Sequence, residues 1–404
     1  MKRAAWLGWL LLGSALAQGA WQLLEIPREG PLVSLREIEA GGPPPQGIPA
    51  LGFSGSHNGA VGASPPPRFE SVERARGWLD AREPVLVLEL AGEARAYPLQ
   101  ILVWHEIVND VVAGRPVAVS YCPLCNSGLA FDRKLRLSDE QAQAVRARNP
   151  GAALARAGEG WTLEVTFGTS GMLYKSNLLM FDDATATLWS QILGMGVVGT
   201  LRGVRLTTLP LQMLGFGEFA SAFPEGRVLS RDTGFERNYG ENPYFAYDAP
   251  EGRPFLFRGQ PDARLPAMER VVAVRLGNET VAYPYGLLRE ARVVNDTAGG
   301  VPLVVFWRPG TASALDRSSV ARGRDVGAAG VFDRRLGGRE LTFVWDGKNF
   351  VDLQTKSRWD LLGRAVAGPL AGKRLEPVAH DNTLWFAWAA FFRNTRVYGT
   401  GPQP

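Results

Sequence analysis

Ala96-Tyr97-Pro98, with Asn109-Asp110 shortly after it, is the stretch that decides the fold, because it occurs twice: Ala282-Tyr283-Pro284 and Asn295-Asp296 repeat it. Both pairs are displaced by 186 positions, from 96 to 282 and from 109 to 295, and Pro116 keeps the same offset to Pro302. Further on, Asp132-Arg133 matches Asp316-Arg317, and Trp189, Gly194, Gly199, Leu201, Gly203 and Arg205 match Trp359, Gly363, Gly368, Leu370, Gly372 and Arg374. A period this long implies duplicated domains rather than a stack of short repeats.

Outward from Tyr97, residues 85–90 and 94–97 read as a hairpin closed at Ala91-Gly92-Glu93, and residues 98–103 as a helical turn. Residues 107–112 and 116–121 read as a second hairpin around Ala113-Gly114-Arg115, and 129–131 as a further strand. Short helices are expected at 72–79, 217–223 and 384–392. The fold class is therefore α+β, strand-rich and mostly antiparallel, in two duplicated domains related by an internal repeat. The expected boundaries are a signal peptide at 1–17, an extended Gly/Pro-rich lead-in at 18–70, the first repeat at 71–230, a linker at 231–264 and the second repeat at 265–400. The linker, rich in Tyr, Phe and Pro, is expected to pack on the surface of two copies facing each other about a pseudo-twofold axis.

Of 404 residues, 46% are hydrophobic and 21% charged, which describes a globular chain with enough material for two or three cores. The formal charge of +4 comes without a long basic run, so nucleic acid is excluded as a partner. At the N-terminus, Lys2-Arg3, an apolar run over 4–12 and Ala15-Leu16-Ala17 make a secretory signal too short to span a bilayer. The mature chain is expected to be exported, periplasmic or extracellular, with no stable membrane span after cleavage and a net charge lowered to +2.

Chemistry concentrates in Tyr121-Cys122-Pro123-Leu124-Cys125-Asn126-Ser127-Gly128, which holds the only two cysteines. Proline in the second position favours a tight turn whose ends approach to the separation a disulfide needs, so the two sulfurs can pair or hold one metal ion together. In an oxidising compartment such a pair tends to rest as a disulfide unless re-reduced or metallated.

The second copy acts as an internal control. At the 186 offset His105 falls on Ala291, Glu106 on Arg292, and Cys122-Pro123 on Arg308-Pro309 in a loop two residues shorter. Joint loss of these groups implies one site. Hairpin register places His105 opposite a residue between Cys122 and Leu124, where an imidazolium lowers a thiol pKa. Asp132-Arg133 reads as a structural ion pair, residues 194–199 as a turn, and Lys175 and Asn177 as residues near a pocket with nothing to single them out. His380 precedes an aromatic helix and reads as a helix-start polar residue able to reach a site between the copies.

Three functions fit these residues. In a thiol-redox protein Cys122 attacks, Cys125 resolves, His105 is base or charge partner and Glu106 orients it, acting on a small molecule or a protein thiol or disulfide. In a metal-binding protein Cys122, Cys125 and His105, with His380 or water, hold copper or zinc. In a binding module the cysteines only staple a loop.

Trp104-His105-Glu106-Ile107-Val108-Asn109-Asp110, Tyr121-Cys122-Pro123-Leu124-Cys125, Phe131-Asp132-Arg133 and Leu188-Trp189-Ser190-Gln191 resemble domain-of-unknown-function family 3179. Trp307-Arg308-Pro309-Gly310-Thr311 and Phe386-Ala387-Trp388-Ala389-Ala390-Phe391 resemble the companion half of its two-repeat members. The resemblance implies an exported bacterial or archaeal protein with no assigned reaction. Selenocysteine at the cysteine pair in some members favours redox chemistry over a structural bridge.

Overall fold

The computed structural model describes residues 18–400, so the expected signal segment at 1–17 lies outside the described residues. Alternation and two-residue turns produce the local structure. Strands β1 (Pro84–Leu90) and β2 (Glu93–Pro98) turn at Ala91 and Gly92, both at positive φ, the conformation whose twist matches antiparallel strands. Pro98 then fixes the entry to α1 (Leu99–His105), and Glu106, at φ 57, ends that helix and redirects the chain into β3 (Ile107–Val112). Ala113 and Gly114 make a second turn of the same kind into β4 (Arg115–Cys122), the 123–126 loop follows, and β5 (Ser127–Asp132) returns. The hairpin β6 (Phe167–Tyr174) and β7 (Asn177–Asp182) and the strand β8 (Gln212–Gly215) complete the front half.

The same order recurs as β9 (Arg270–Leu276), β10 (Glu279–Pro284), α2 (Tyr285–Ala291), β11 (Val293–Ala298), β12 (Val301–Arg308), β13 (Ala328–Asp333), and finally β14 (His380–Leu384) with α3 (Trp385–Phe391). The chain is strand-rich and its pairings are mostly antiparallel. One sheet carries strands of both halves, in the order β2-β1-β8-β13-β12-β11. Residues 85–88 of β1, an internal strand of that sheet, are all buried, as its unbroken apolar run requires.

The repeated residues make matching hydrogen bonds. The Tyr97 hydroxyl donates to Asp110 at 2.7 Å and that of Tyr283 to Asp296 at 2.9 Å. The amide of Asn109 exchanges bonds with both backbone groups of Phe167 (2.9 and 2.8 Å), as Asn295 does with Phe343 (2.8 and 2.9 Å). Asp182 gathers Thr185, Thr187 and the Trp189 indole, and Asp352 gathers Thr355, Ser357 and the Trp359 indole. Each set satisfies polar groups that burial would otherwise leave unpaired.

Two details depart from the expected alignment. The loop after β12 is much longer than the one after β4, running over 309–327 against 123–126, because it makes its own irregular layer under the linker. Asp132-Arg133, at the end of β5, therefore corresponds to Asp333-Arg334 at the end of β13: the Arg133 and Arg334 amides donate alike to Pro116 and Pro302 carbonyls at 3.0 Å. Nor do Asp132 and Arg133 pair with each other. Asp132 binds Arg115 at 2.8 Å, while the buried Arg133 guanidinium donates to the carbonyls of Val117, Val165 and Asp110.

Residues 231–264 hold no helix or strand but are pinned from both sides. Buried Asp248 accepts from Arg270 at 2.5 Å, Arg324 at 3.0 Å and the Ser313 hydroxyl at 2.7 Å. The lead-in docks on β6, where a bulge between Thr169 and Met172 brings Gly171 under Pro43. No helix among the described residues is long and apolar enough to cross a membrane.

Gly171 has φ 72, and a Cβ there would sit 2.1 Å from the Pro43 carbonyl oxygen. Gly171→Ala is expected to lower stability by about 2 kcal/mol, through forced positive φ and displacement of the lead-in. Urea denaturation measures it; an unchanged midpoint would show that the lead-in is not held there.

Candidate functional site

The Cys-Pro-Leu-Cys segment is a single 3-10 turn, Pro123–Cys125, between β4 and β5, closed by Asn126 in the left-handed region at φ 51. Both cysteines are free and buried. Their sulfurs converge on one backbone carbonyl, that of Ser176, at 3.9 Å from Cys122 and 3.4 Å from Cys125. Lys175 and Ser176 form the β6–β7 turn, both at positive φ (52 and 66) without being glycine. Such backbone strain persists only where its surroundings enforce it. Here the Ser176 hydroxyl donates to Phe255 O at 2.6 Å, which locks the turn.

Behind the sulfurs lies a closed amide and hydroxyl network. Asn177 donates to Cys125 Sγ at 3.6 Å and to Gln191 Oε1 at 2.7 Å, and its own oxygen accepts from Ile192 N. Gln191 donates to the Ser120 hydroxyl and the Ser127 carbonyl. The Ser127 hydroxyl donates to Asp381 of β14 at 2.7 Å, and Thr383 donates to the Cys125 carbonyl at 2.9 Å. Asn126 donates to Asn382 O and accepts from the Tyr121 hydroxyl, both at 3.1 Å. The back half thus holds the loop, although it has no cysteine of its own. Burial pushes the Cys125 thiol well up, with the neighbouring Cys122 adding to the shift, so Cys125 rests as a thiol.

Cys122 faces a cavity of about 300 Å³, whose wall includes Glu106, Leu124, Met172, Tyr244 and Phe255. Glu106 and Cys122 share this wall because Tyr121 N donates to Glu106 O at 2.7 Å, holding the end of α1 against the end of β4. Burial alone pushes the Glu106 carboxyl up to about 8. Among the described residues neither it nor the Tyr244 hydroxyl has a hydrogen-bond partner.

His105 departs from its expected place. It is the last residue of α1, so its ring lies on the helix face, and the positive-φ Glu106 turns the chain only afterwards. Its Nδ1 donates to Pro49 O at 2.7 Å, and its Nε2 accepts from the Tyr239 hydroxyl at 2.5 Å, which in turn accepts from Thr233. Both ring nitrogens are therefore occupied by groups other than the sulfurs. Burial pulls its pKa down to about 4, so it stays neutral at pH 7 and gives no imidazolium for a thiolate. His380 lies in strand β14, not at a helix start. Its neighbours Asp381 and Thr383 face the cysteine loop, so by alternation His380 points to the other face, with Nδ1 donating to Val378 O at 2.7 Å. The copper or zinc set of Cys122, Cys125, His105 and His380 is not assembled: no three His, Cys, Asp or Glu side chains among the described residues come together as metal ligands.

A family profile described as Protein of unknown function (DUF3179) matches residues 46–395. The chain belongs to the DUF3179 family. No curated protein and no solved structure matches it. For this DUF3179 chain, sequence reasoning gave no role to Ser176, Asn177, Gln191, Tyr244 or Asp381, although it placed Asn177 near a pocket. A signal existed for two of them: at the offset set by Trp189 and Trp359, Gln191 falls on Leu361 and Asn177 on Gly347, so both vanish from the back half with the cysteines.

Because its folded-state pKa of about 8 lies above the ordinary 4.5, Glu106 contributes stability that is full below about 4.5 and is lost as pH rises through about 8. Glu106→Gln is expected to flatten this decline, measured by denaturant unfolding across the pH range. An unaltered slope would mean that the carboxyl is solvated.

Proposed function

We propose that this DUF3179 protein is a thiol–disulfide oxidoreductase centred on Cys122 and Cys125. The observation that carries the proposal is that two free thiols converge on one carbonyl while only Cys122 opens onto a cavity, beside an unpartnered carboxyl. That asymmetry fits an attacking and a resolving sulfur.

In the forward direction the Cys122 thiol gives its proton to Glu106 in its carboxylate form, which grows as pH approaches about 8, and the thiolate attacks one sulfur of a bound disulfide. The disulfide bond breaks, the first half leaves as thiolate and takes a proton, and a mixed disulfide remains on Cys122. Cys125 then loses its proton and attacks Cys122 Sγ, releasing the second half as thiol. The substrate disulfide is reduced to two thiols and the pair is oxidised to a disulfide; two external thiols, the first forming a mixed disulfide and the second displacing it as their own disulfide, return the pair to two thiols. Glu106 thus takes the base role first given to His105, whose nitrogens are occupied. In the exported setting that residues 1–17 propose, the pair would turn over against extracytoplasmic disulfides.

Cys122→Ser is expected to abolish thiol–disulfide exchange. Cys125→Ser should instead trap the substrate half on Cys122 as a stable mixed disulfide, seen as added mass that reductant removes. For the wild type the exchange rate should rise as pH passes about 8, with Tyr244 and Cys122 the other titratable groups on the cavity wall beside Glu106, and Glu106→Gln should remove that rise. Undiminished exchange in Cys122→Ser would overturn the proposal.

A further inference from the structure

The cavity at Cys122 also limits what can reach the sulfur. Its walls are largely apolar, formed by Pro43, Pro44, Ile48, Leu124, Met172 and Phe255, with Glu106, Thr169 and Tyr244 as the polar exceptions. No lysine, arginine or histidine lines it, so an anion would find no counter-charge. The Thr169 hydroxyl is already spent on Ile48 O at 2.5 Å, which leaves the Glu106 carboxyl and the Tyr244 hydroxyl for a ligand. Glu106 is buried and without a protein partner. Its protonated form, the major one at neutral pH, offers an incoming ligand one O–H donor and no charge for a cation, while the minor carboxylate form is the one that takes the Cys122 proton.

Size restricts the ligand further. A volume of about 300 Å³ holds about ten water-sized groups. Cys122 is 2% exposed, so the loop of a folded protein cannot bring its disulfide onto the sulfur. The linker, anchored through the Tyr247 hydroxyl to Leu124 O at 2.7 Å and through Phe255 O to Ser176, covers this side.

Building on the thiol–disulfide reading, we infer that the substrate is a small uncharged disulfide with short alkyl or aryl substituents, bound in the apolar cavity against Glu106 and Tyr244, and not a protein disulfide or a charged peptide disulfide. Its sulfur meets Cys122 from the cavity side, and each substituent leaves as a neutral thiol through the same opening.

The test uses the full reduced chain at neutral pH and follows loss of the two thiols by intact mass and alkylation. Diethyl disulfide, cystamine, dithiodiglycolate, glutathione disulfide and a disulfide-bonded protein are supplied separately at equal concentration, each corrected for its rate with a simple free thiol. Burying an unpaired ion costs several kcal/mol, so after correction the neutral disulfide is expected to react about a hundredfold faster than its charged counterparts of similar size. Equal corrected rates for neutral and charged small disulfides would overturn the substrate class and leave thiol–disulfide chemistry standing. A protein disulfide that reacts as fast as the small neutral one would overturn it likewise. If none of the five oxidises the pair, while both thiols alkylate after unfolding, the chemistry itself falls and the substrate class with it.

Discussion

The hydrogen bond from the Ser127 hydroxyl to Asp381 joins the two halves at the cysteine turn. A buried site that gathers Ser120, Asn126, Ser127, Asn177 and Gln191 around the cysteine turn needs partners for their polar groups, and the front half alone does not provide them all. Thr383 and the Asn382 carbonyl supply the remainder. This explains in physical terms why a half without cysteines is built into the same molecule: its last strand is part of the wall that holds the turn. Burial pushes Asp381 up to about 7, and its second oxygen has no partner, so the joint is close to its own titration at neutral pH.

Glu106 and His105 are adjacent in sequence yet stand in opposed environments. The positive φ of Glu106 itself is enough to send the imidazole to Pro49 and Tyr239 and the carboxyl to the cavity. Both are driven by burial toward their neutral forms, the histidine by losing its proton and the glutamate by keeping it. Extending a two-stranded register past the end of a strand, as the sequence reading did, sets the imidazole against the sulfurs, whereas its nitrogens are bonded to Pro49 and Tyr239.

Much of the frame was legible. Ala91-Gly92 and Ala113-Gly114 marked the hairpins, the alternation marked the strands, and Ala96-Tyr97-Pro98 with its second occurrence marked the recurring element order. What escaped had no local signature. The type of turn made by Lys175 and Ser176 normally calls for glycine or asparagine, so its presence reflects tertiary enforcement that no short pattern carries. The linker read as surface packing because its Tyr, Phe and Pro lack periodicity, yet Tyr244, Tyr247 and Phe255 surround the site. The insertion at 309–327 went unseen because Pro309 happens to follow Arg308 much as Pro123 follows Cys122, and the match carried the alignment past the true break.

The Ser176 carbonyl that meets both sulfurs has a consequence for how long the pair can survive. Overoxidation of a cysteine to sulfinic acid adds oxygen atoms that need room and water around the sulfur. Cys125 is fully enclosed, with Asn177 on one side and that oxygen on another, so such a lesion has no space to develop at this sulfur. Damage would be confined to Cys122, and the partner behind it would remain available to capture the first, reversible oxidation step as a disulfide with loss of water, for external thiols to reduce.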